Sequence, residues 1–406
     1  MKILVLSSLA YSLVNFRADL LRSMIDNGHT VVACAPDRDA KTEGKLTQMG
    51  VRFRHTPMQR TGTNVVSDMR LVSNYIGLIR DEKPDIVLAY TQKPIIYGGI
   101  ATRIAGFAGK KSRFFALMSG LGQVFSMDAG YSSWLQKAVA RLYRSALAGA
   151  QATFVFNADD RKDMIALGIV DAKQKVIQVP GSGVSLTRFP ACDPVTQPIR
   201  FLMIGRLMRN KGIMEFLEAS RIVRKNHPEC QFQIVGRSED ENPAGISREE
   251  SETLADEFDV EFVPGTDDVR PYLATSSVFV LPSYYREGLP RTILEALASA
   301  RPVITTDLPG CRDAIENGVN GLIVRPRDAE DLAEAMMKFA VEPQLVRQMG
   351  AASLDVARKT YDVHLVNRQL LGEMGLLRNA GGCRADAAAS ASGYAEPDAF
   401  PASTAG

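Results

Sequence analysis

The stretch Arg200-Phe-Leu-Met-Ile-Gly-Arg-Leu-Met-Arg-Asn-Lys211-Gly212 begins as an apolar run and ends in a basic turn bounded by glycines. Arg200 to Ile204 has the length and apolar content of a buried strand, and Gly205 stops it. The turn then sets Arg206 and Lys211 five positions apart at a strand-to-helix junction. Arginine grips phosphate oxygens with a planar fork and lysine supplies a movable point charge, so the pair suits a diphosphate. A solvated basic loop would carry the same residues, and only further residues separate the two readings.

The alternation of short apolar strands with amphipathic helices continues through strands near Gln231 to Val235, Val260 to Val263, Val278 to Leu281, Val303 to Thr306 and Gly321 to Val324. The first half has the same rhythm, with strands near Ile3 to Leu6, Thr30 to Ala35, Val51 to His55, Ile86 to Tyr90, Arg113 to Leu117 and Thr153 to Phe156. Its helices have readable ends: Asn15 to Asn27 stops at Gly28, and Val65 to Glu82 stops before Pro84. This rhythm predicts an α/β protein with two doubly wound parallel sheets. Between the halves, Val179-Pro-Gly-Ser-Gly-Val-Ser-Leu-Thr-Arg-Phe-Pro190, followed by Pro194 and Pro198, reads as the hinge. The expected division is 1–185 and 186–360 for the two domains and 361–378 for a last helix, near Val363 to Leu377, that packs back across the cleft. The tail 379–406, rich in Ala, Gly and Ser, is expected to be disordered. Ligands of open sheets bind beyond the carboxyl ends of the strands, which points to an interdomain cleft.

Composition narrows the function. With 46% hydrophobic and 23% charged residues among 406, the chain can bury sizeable cores. A net charge of +2 without a long basic run excludes nucleic-acid binding as a working reading. Cys34, Cys192, Cys230, Cys311 and Cys383 are scattered without C-x-x-C spacing, as expected of reduced cytosolic thiols. The Lys2-Ile-Leu-Val-Leu6 run is too short for a signal-peptide core. No apolar run approaches the roughly 18 residues of a membrane span. The chain is therefore expected in the cytoplasm, with any membrane contact peripheral to the inner face.

A second motif, Glu287-Gly-Leu-Pro-Arg-Thr-Ile-Leu-Glu295, places two carboxylates eight positions apart. Pro290 fits the first position of a helix from Pro290 to Ser299, and Gly288 permits unusual backbone angles just before it. Glu287 then lies outside the helix and Glu295 inside, so one carboxylate can face a sugar and the other a ribose. Amides at Leu289, Arg291 and Thr292 would point at a diphosphate, with about 0.3–2 kcal/mol from the helix terminus. An amphipathic helix with solvated acids is the plain alternative; together with Arg206 and Lys211, the acids favour a nucleotide-sugar site.

G-R-x4-K-G followed by E-x7-E resembles glycosyltransferase family 4, the retaining nucleotide-sugar transferases with two Rossmann-like domains in the GT-B arrangement. The resemblance covers roughly residues 1–378 and includes Asn15-Phe-Arg17, Gly28-His-Thr-Val31, Ser119-Gly-Leu-Gly122 and Gly181-Ser-Gly-Val184. Tyr90-Thr-Gln-Lys-Pro94, Ser119-Gly-Leu-Gly-Gln-Val-Phe125 and Gly236-Arg-Ser-Glu-Asp-Glu-Asn-Pro243 resemble bacterial capsule, O-antigen and N-glycan enzymes acting on polyprenyl-diphosphate-linked sugars. The resemblance implies that Arg206 and Lys211, with Gly205, neutralise the departing diphosphate. It likewise implies that Glu295 holds the ribose and Glu287, with Gly288, Leu289 and Pro290, the donor sugar. Gly236, Arg237 and the Gly265-Thr-Asp-Asp-Val269 loop would line the base pocket, with the backbone near Val269 as base reader. The implied reaction moves a hexose or N-acetylhexosamine, from a UDP-sugar by preference, to a polyprenyl-diphosphate-linked saccharide.

Many family members carry a histidine where this chain has Ser119-Gly-Leu-Gly122, so no histidine role transfers to His29, His55, His227 or His364. His29 reads as a structural residue at a helix end. Asp37-Arg-Asp39, the only D-x-D match, reads as a helix cap, and no cluster has zinc-like spacing. Neither metal nor other cofactor is expected. On the acceptor side, Asn15, Arg17 and Lys93 fall at strand-to-helix junctions, where Arg17 and Lys93 would meet a lipid-linked diphosphate or be ordinary rim charges. Gly120 and Gly122 would let backbone approach a sugar, or make a plain turn. Trp134 to Leu147, with Lys137, Arg141 and Arg144, reads either as an interfacial helix or as a packed surface helix with a basic edge. A nucleotide-sugar epimerase, a phosphorylase and a non-catalytic glycan-assembly scaffold remain as alternatives.

Overall fold

The computed structural model describes residues 1–59, 64–107, 109–121, 125, 133–240, 242 and 244–378. Its strands are β1 (Lys2–Leu6), β2 (Thr30–Ala35), β3 (Arg52–His55), β4 (Ile86–Tyr90), β5 (Arg113–Met118), β6 (Ala150–Val155) and β7 (Val176–Gln178). The second set is β8 (Arg200–Ile204), β9 (Gln231–Gly236), β10 (Glu261–Pro264), β11 (Val278–Leu281), β12 (Val303–Thr306) and β13 (Gly321–Val324). Strands such as Ile86–Tyr90 are buried along their whole length because helices cover both sheet faces, which is why they read as continuous apolar runs.

The sheets have the orders β3-β2-β1-β4-β5-β6-β7 and β10-β9-β8-β11-β12-β13, with parallel pairing between neighbours. Both are Rossmann-like. Strand order reverses between β1 and β4 and between β8 and β11, and ligand crevices open at such reversals.

The chain crosses between the sheets twice, side by side. The Val184 amide donates to Tyr361 O at 2.8 Å, and the Val363 amide donates to Val184 O at 3.0 Å. Helix Val363–Met374 then lies against helix Ala18–Asp26 of the first domain. Its far end is tied by His29 Nε2 to Leu376 O at 2.7 Å and by the Arg378 amide to Asn27 Oδ1 at 3.1 Å.

Two local expectations need correction, and one strand went unforeseen. The single helix expected over Asn15 to Asn27 is two, Ala10–Asn15 and Ala18–Asp26, broken at Phe16 and Arg17 where the Arg17 side chain turns inward. Pro290 is the N-cap of helix Arg291–Ala298 and lies one residue before its first turn. The three-residue β7 is too short for periodicity to reveal. The tail expectation and Cys383 lie outside the described residues.

Candidate active site

At the second sheet's reversal, the loops after β8 and β11 are fastened to each other. Asn210 O accepts the Tyr284 amide at 3.0 Å and Ser283 Oγ at 3.3 Å. Gly212 has φ +82°, and a side chain there would meet Pro282 O at 2.1 Å, so only glycine lets the loops close. This closure brings Lys211 Nζ to 2.6 Å from Glu287 Oε1, with the two side chains 13% and 14% exposed. Arg206 sits outside them, 56% exposed, with Nη1 3.7 Å from Glu239 Oε1. Gly205 follows β8 and Gly236 ends β9 beside it.

Helix Arg291–Ala298 has Pro290 as its N-cap, which offers no side-chain cap; the Ile293 amide donates to Pro290 O at 3.2 Å, and the Arg291 and Thr292 amides before it belong to the helix start, where such groups are left for an outside acceptor. One turn in, Glu295 is buried and accepts from Arg291 Nε at 2.9 Å. Burial raises the Glu295 pKa, opposed by the Arg291 and Arg188 cations. Beyond it, Arg237 pairs with Asp267 at 2.7 Å, and Val269 is the half-buried N-cap of helix Arg270–Thr275.

The first domain closes over these groups. Tyr11 Oη donates to Asp267 Oδ1 at 3.4 Å, and Lys41 Nζ lies 3.8 Å from Asp267 Oδ2. Arg312 pairs with Asp159 at 2.5 Å and Arg286 with Asp163. The loop Ser119-Gly120 presses on Gly288: a side chain at Gly288 would meet Ser119 O at 2.4 Å. Gly288 is thus required for close approach, and its φ lies outside the left-handed region. Gly120, φ +118°, faces the Gly288 backbone; Gly122 lies outside the described residues.

Arg17 is 5% exposed, beneath the cleft rim and not on it. Its guanidinium lies 5.2 Å from the Tyr90 ring centre and 5.9 Å from that of Phe156, and its Nε has no hydrogen-bond partner. Burial pulls its pKa down to about 10, with the nearby Arg291 charge adding to the fall. Lys93 corrects the other rim expectation: it pairs with Asp68 at 2.7 Å while Tyr97 Oη donates to the second Asp68 oxygen, so its charge is already satisfied. Asn15 is half-buried at the end of helix Ala10–Asn15.

Asp39 caps helix Ala40–Gln48, and Asp37 accepts the Ala10 amide at 2.9 Å, so this acid pair is committed to the backbone. Among the described residues no group of three or more His, Cys, Asp or Glu side chains could hold a metal ion. Cys34, Cys192, Cys230 and Cys311 are free thiols. Sequence reasoning missed the side chains of Tyr11, Asn157, Arg188, Arg286 and Arg291. Asn157 alone left a signal, an Asn before an acidic helix start, and that signal reports only its cap.

Residues 14–180 match the Glycosyl transferase 4-like domain, and residues 198–340 match Glycosyl transferases group 1. The chain is 26% identical to the N,N'-diacetylbacillosaminyl-diphospho-undecaprenol alpha-1,3-N-acetylgalactosaminyltransferase of Campylobacter jejuni, over 91% of this chain and 97% of that one. It is also 26% identical to the UDP-Gal:alpha-D-GlcNAc-diphosphoundecaprenol alpha-1,3-galactosyltransferase of Escherichia coli, over 73% of this chain and 78% of that one. Anabaena HepE, solved in complex with UDP and glucose, shares the fold with TM-score 0.74 at 17% identity, over 93% of this chain and 100% of that one. Sucrose-phosphate synthase from Thermosynechococcus elongatus does so with TM-score 0.72 at 18% identity, over 92% and 98% of the respective chains.

Proposed function

This chain is a glycosyltransferase of the group 1 and 4-like families, and from that premise we propose that it moves a hexose or N-acetylhexosamine from a UDP-sugar to a polyprenyl-diphosphate-linked saccharide, with retention of anomeric configuration. The observation that carries the donor side is the Lys211–Glu287 pair, held at the uncapped start of the helix that contains Glu295. The acceptor class is supported by the two relatives whose names specify sugars on diphospho-undecaprenol.

In this reading Glu295 accepts from the ribose hydroxyls, and Gly236, Arg237 and the backbone near Val269 border the base. Glu287 meets the donor sugar, beside the backbone of Gly288, Leu289 and Pro290. The bond between the anomeric carbon and the leaving diphosphate breaks as the acceptor hydroxyl bonds to that carbon on the same face. The hydroxyl proton passes to the departing phosphate oxygen. Negative charge grows on the diphosphate, where Lys211, Arg206 and the helix amides are already aimed, so they stabilise the transition state more than the ground state. These fixed cations and amides supply that stabilisation without a metal in the scheme. Asn15, Gly120 and Gly122 make up the proposed acceptor side, with Arg17 as a cation buried beneath its rim and Lys93 paired with Asp68.

The test is a panel of UDP- and GDP-sugars offered with polyprenyl-diphosphate-linked mono- and disaccharides, with mass analysis of the lipid fraction. The expected product is the acceptor lipid heavier by one hexose or N-acetylhexosamine residue. A free altered sugar formed without acceptor would identify an epimerase, and turnover requiring inorganic phosphate a phosphorylase. Absence of turnover across the panel would leave the scaffold reading.

Such an acceptor is embedded in a bilayer, and no helix among the described residues is long and apolar enough to cross one. Helix Ser133–Leu147 supplies a peripheral contact: Tyr143 and Leu147 are buried, whereas Trp134 is 69% exposed and Lys137, Arg141 and Arg144 face outward. An exposed indole with flanking cations favours the headgroup region of anionic membranes. In flotation with anionic vesicles, Trp134→Ala combined with Arg141→Glu and Arg144→Glu is expected to weaken vesicle partitioning by at least about 30-fold, since two basic residues at about 1 kcal/mol each contribute about 2 kcal/mol. Equal flotation of variant and parent would refute the docking face.

A further inference from the structure

Asn157 is fully buried at the end of the first sheet and makes bonds in two directions. Its Oδ1 accepts the Asp160 amide at 2.7 Å, which caps helix Ala158–Ala166. Its Nδ2 donates to Asp160 Oδ2 at 3.0 Å and, across the domain boundary, to Gly288 O at 2.8 Å. The cap explains an oxygen at this position; serine or aspartate would serve it equally. It does not explain the amide nitrogen, whose second acceptor belongs to the donor loop 131 positions away.

Ser119 O also crowds Gly288, where a Cβ would lie 2.4 Å from it, so two first-domain groups pack on this residue. The neighbouring residue is Glu287. We propose that Asn157 is a positioning residue for the donor loop, holding the Gly288 carbonyl from the acceptor domain and thereby fixing the direction of the Glu287 carboxylate toward the donor sugar. This rests on the donor-side reading of Glu287 given above.

Asp160 is the anchor of this arrangement. It is buried, and the charged groups around it are Arg286 from the donor loop, Asp163 from its own helix and Asp313 from the second domain. Burial lifts its pKa to about 7, against the lowering influence of Arg286 and of the Asn157 hydrogen bond. A cavity of about 180 Å³ touching Asp160, Asp163 and Arg286 gives protons access. The carboxylate accepts from Asn157 without ambiguity. Its protonated form keeps one acceptor oxygen but loses the charge that strengthens this bond, so the amide nitrogen is held less firmly toward Gly288.

The inference separates the cap from the grip. In the full-length protein, Asn157→Ser retains a capping oxygen and loses the amide nitrogen. The expected result is a kcat lower by about tenfold or more, a donor KM changed by less than about threefold and a melting temperature within a few degrees of wild type. A kcat within about twofold of wild type would overturn the proposal. If the serine variant melts below the assay temperature, Asp160→Asn decides. Wild-type kcat is expected to fall as pH drops through about 7, and this limb should vanish in the variant; an unchanged limb would overturn the proposal. Glu287→Gln is measured alongside. Wild-type activity in that variant would defeat the donor-side reading itself, whereas an inactive Glu287→Gln with a normal Asn157→Ser would defeat only the positioning role.

Discussion

Lys211→Ala is expected to lower kcat by about 10²–10³-fold, the size seen when one preorganised electrostatic group is removed from a developing negative charge. That corresponds to about 3–4 kcal/mol of transition-state stabilisation. The effect on folding should be smaller, about 1–3 kcal/mol, the cost of leaving the largely buried Glu287 oxygen without its cation. Glu287→Ala should behave alike in turnover, for a different reason: it removes the proposed sugar contact and leaves Lys211 without its 2.6 Å partner. Arg206→Ala should cost less than either, since a guanidinium 56% exposed is screened by solvent. Steady-state kinetics and thermal melts on the three variants check this order. A loss of melting temperature with unchanged turnover in Lys211→Ala would defeat the assignment.

Arg17→Met should separate stability from function in the opposite direction. The wild-type guanidinium is buried, stacked on Tyr90 and Phe156, and unpaired at Nε. A buried charge without a counter-ion penalises the fold, and a well-packed apolar replacement is often neutral or stabilising. Methionine also keeps favourable contacts with the two rings. The variant is therefore expected to melt at or above the wild-type temperature. Its kcat/KM for the lipid-linked acceptor should nevertheless fall about 100-fold, because a fully desolvated cation opposite a phosphate is worth about 2–5 kcal/mol. Hydrolysis of the donor without acceptor should stay near the wild-type rate. A lower melting temperature with unchanged acceptor kinetics would show that Arg17 serves packing alone.

The two motifs that defined the donor side were readable because each is local. Arg206 and Lys211 follow one strand, and Glu287 and Glu295 bracket one helix start, so strand and helix periodicity place all four at carboxyl ends of a parallel sheet. Even here the sequence left the side-chain pairing unstated. Lys211 meets Glu287 only because Asn210 O and Gly212 fasten the loop after β8 to the loop after β11.

On the acceptor side, the place of a cation on an element does not show what it pairs with. Arg17 and Lys93 looked equivalent, both basic and both at strand-to-helix junctions. They differ because helix Val65–Glu82 brings Asp68 to Lys93, while among the described residues no carboxylate pairs with Arg17 and its Nε has no hydrogen-bond partner. Likewise Asn157 was legible as a cap, but its bond to Gly288 joins two domains.

By itself the sequence determined two doubly wound sheets and placed the two motifs on the loops that follow their strands, since strand and helix periodicity and motif spacing are properties of neighbouring positions. Tertiary structure alone decided which charges are satisfied and which are not: Lys93 neutralised by Asp68, Arg17 buried without a partner at Nε, and Gly288 held between Ser119 and Asn157. The physical reason is distance along the chain. A charge's free energy depends on burial and on partners within a few ångströms, and here those partners come from other elements or from the other domain.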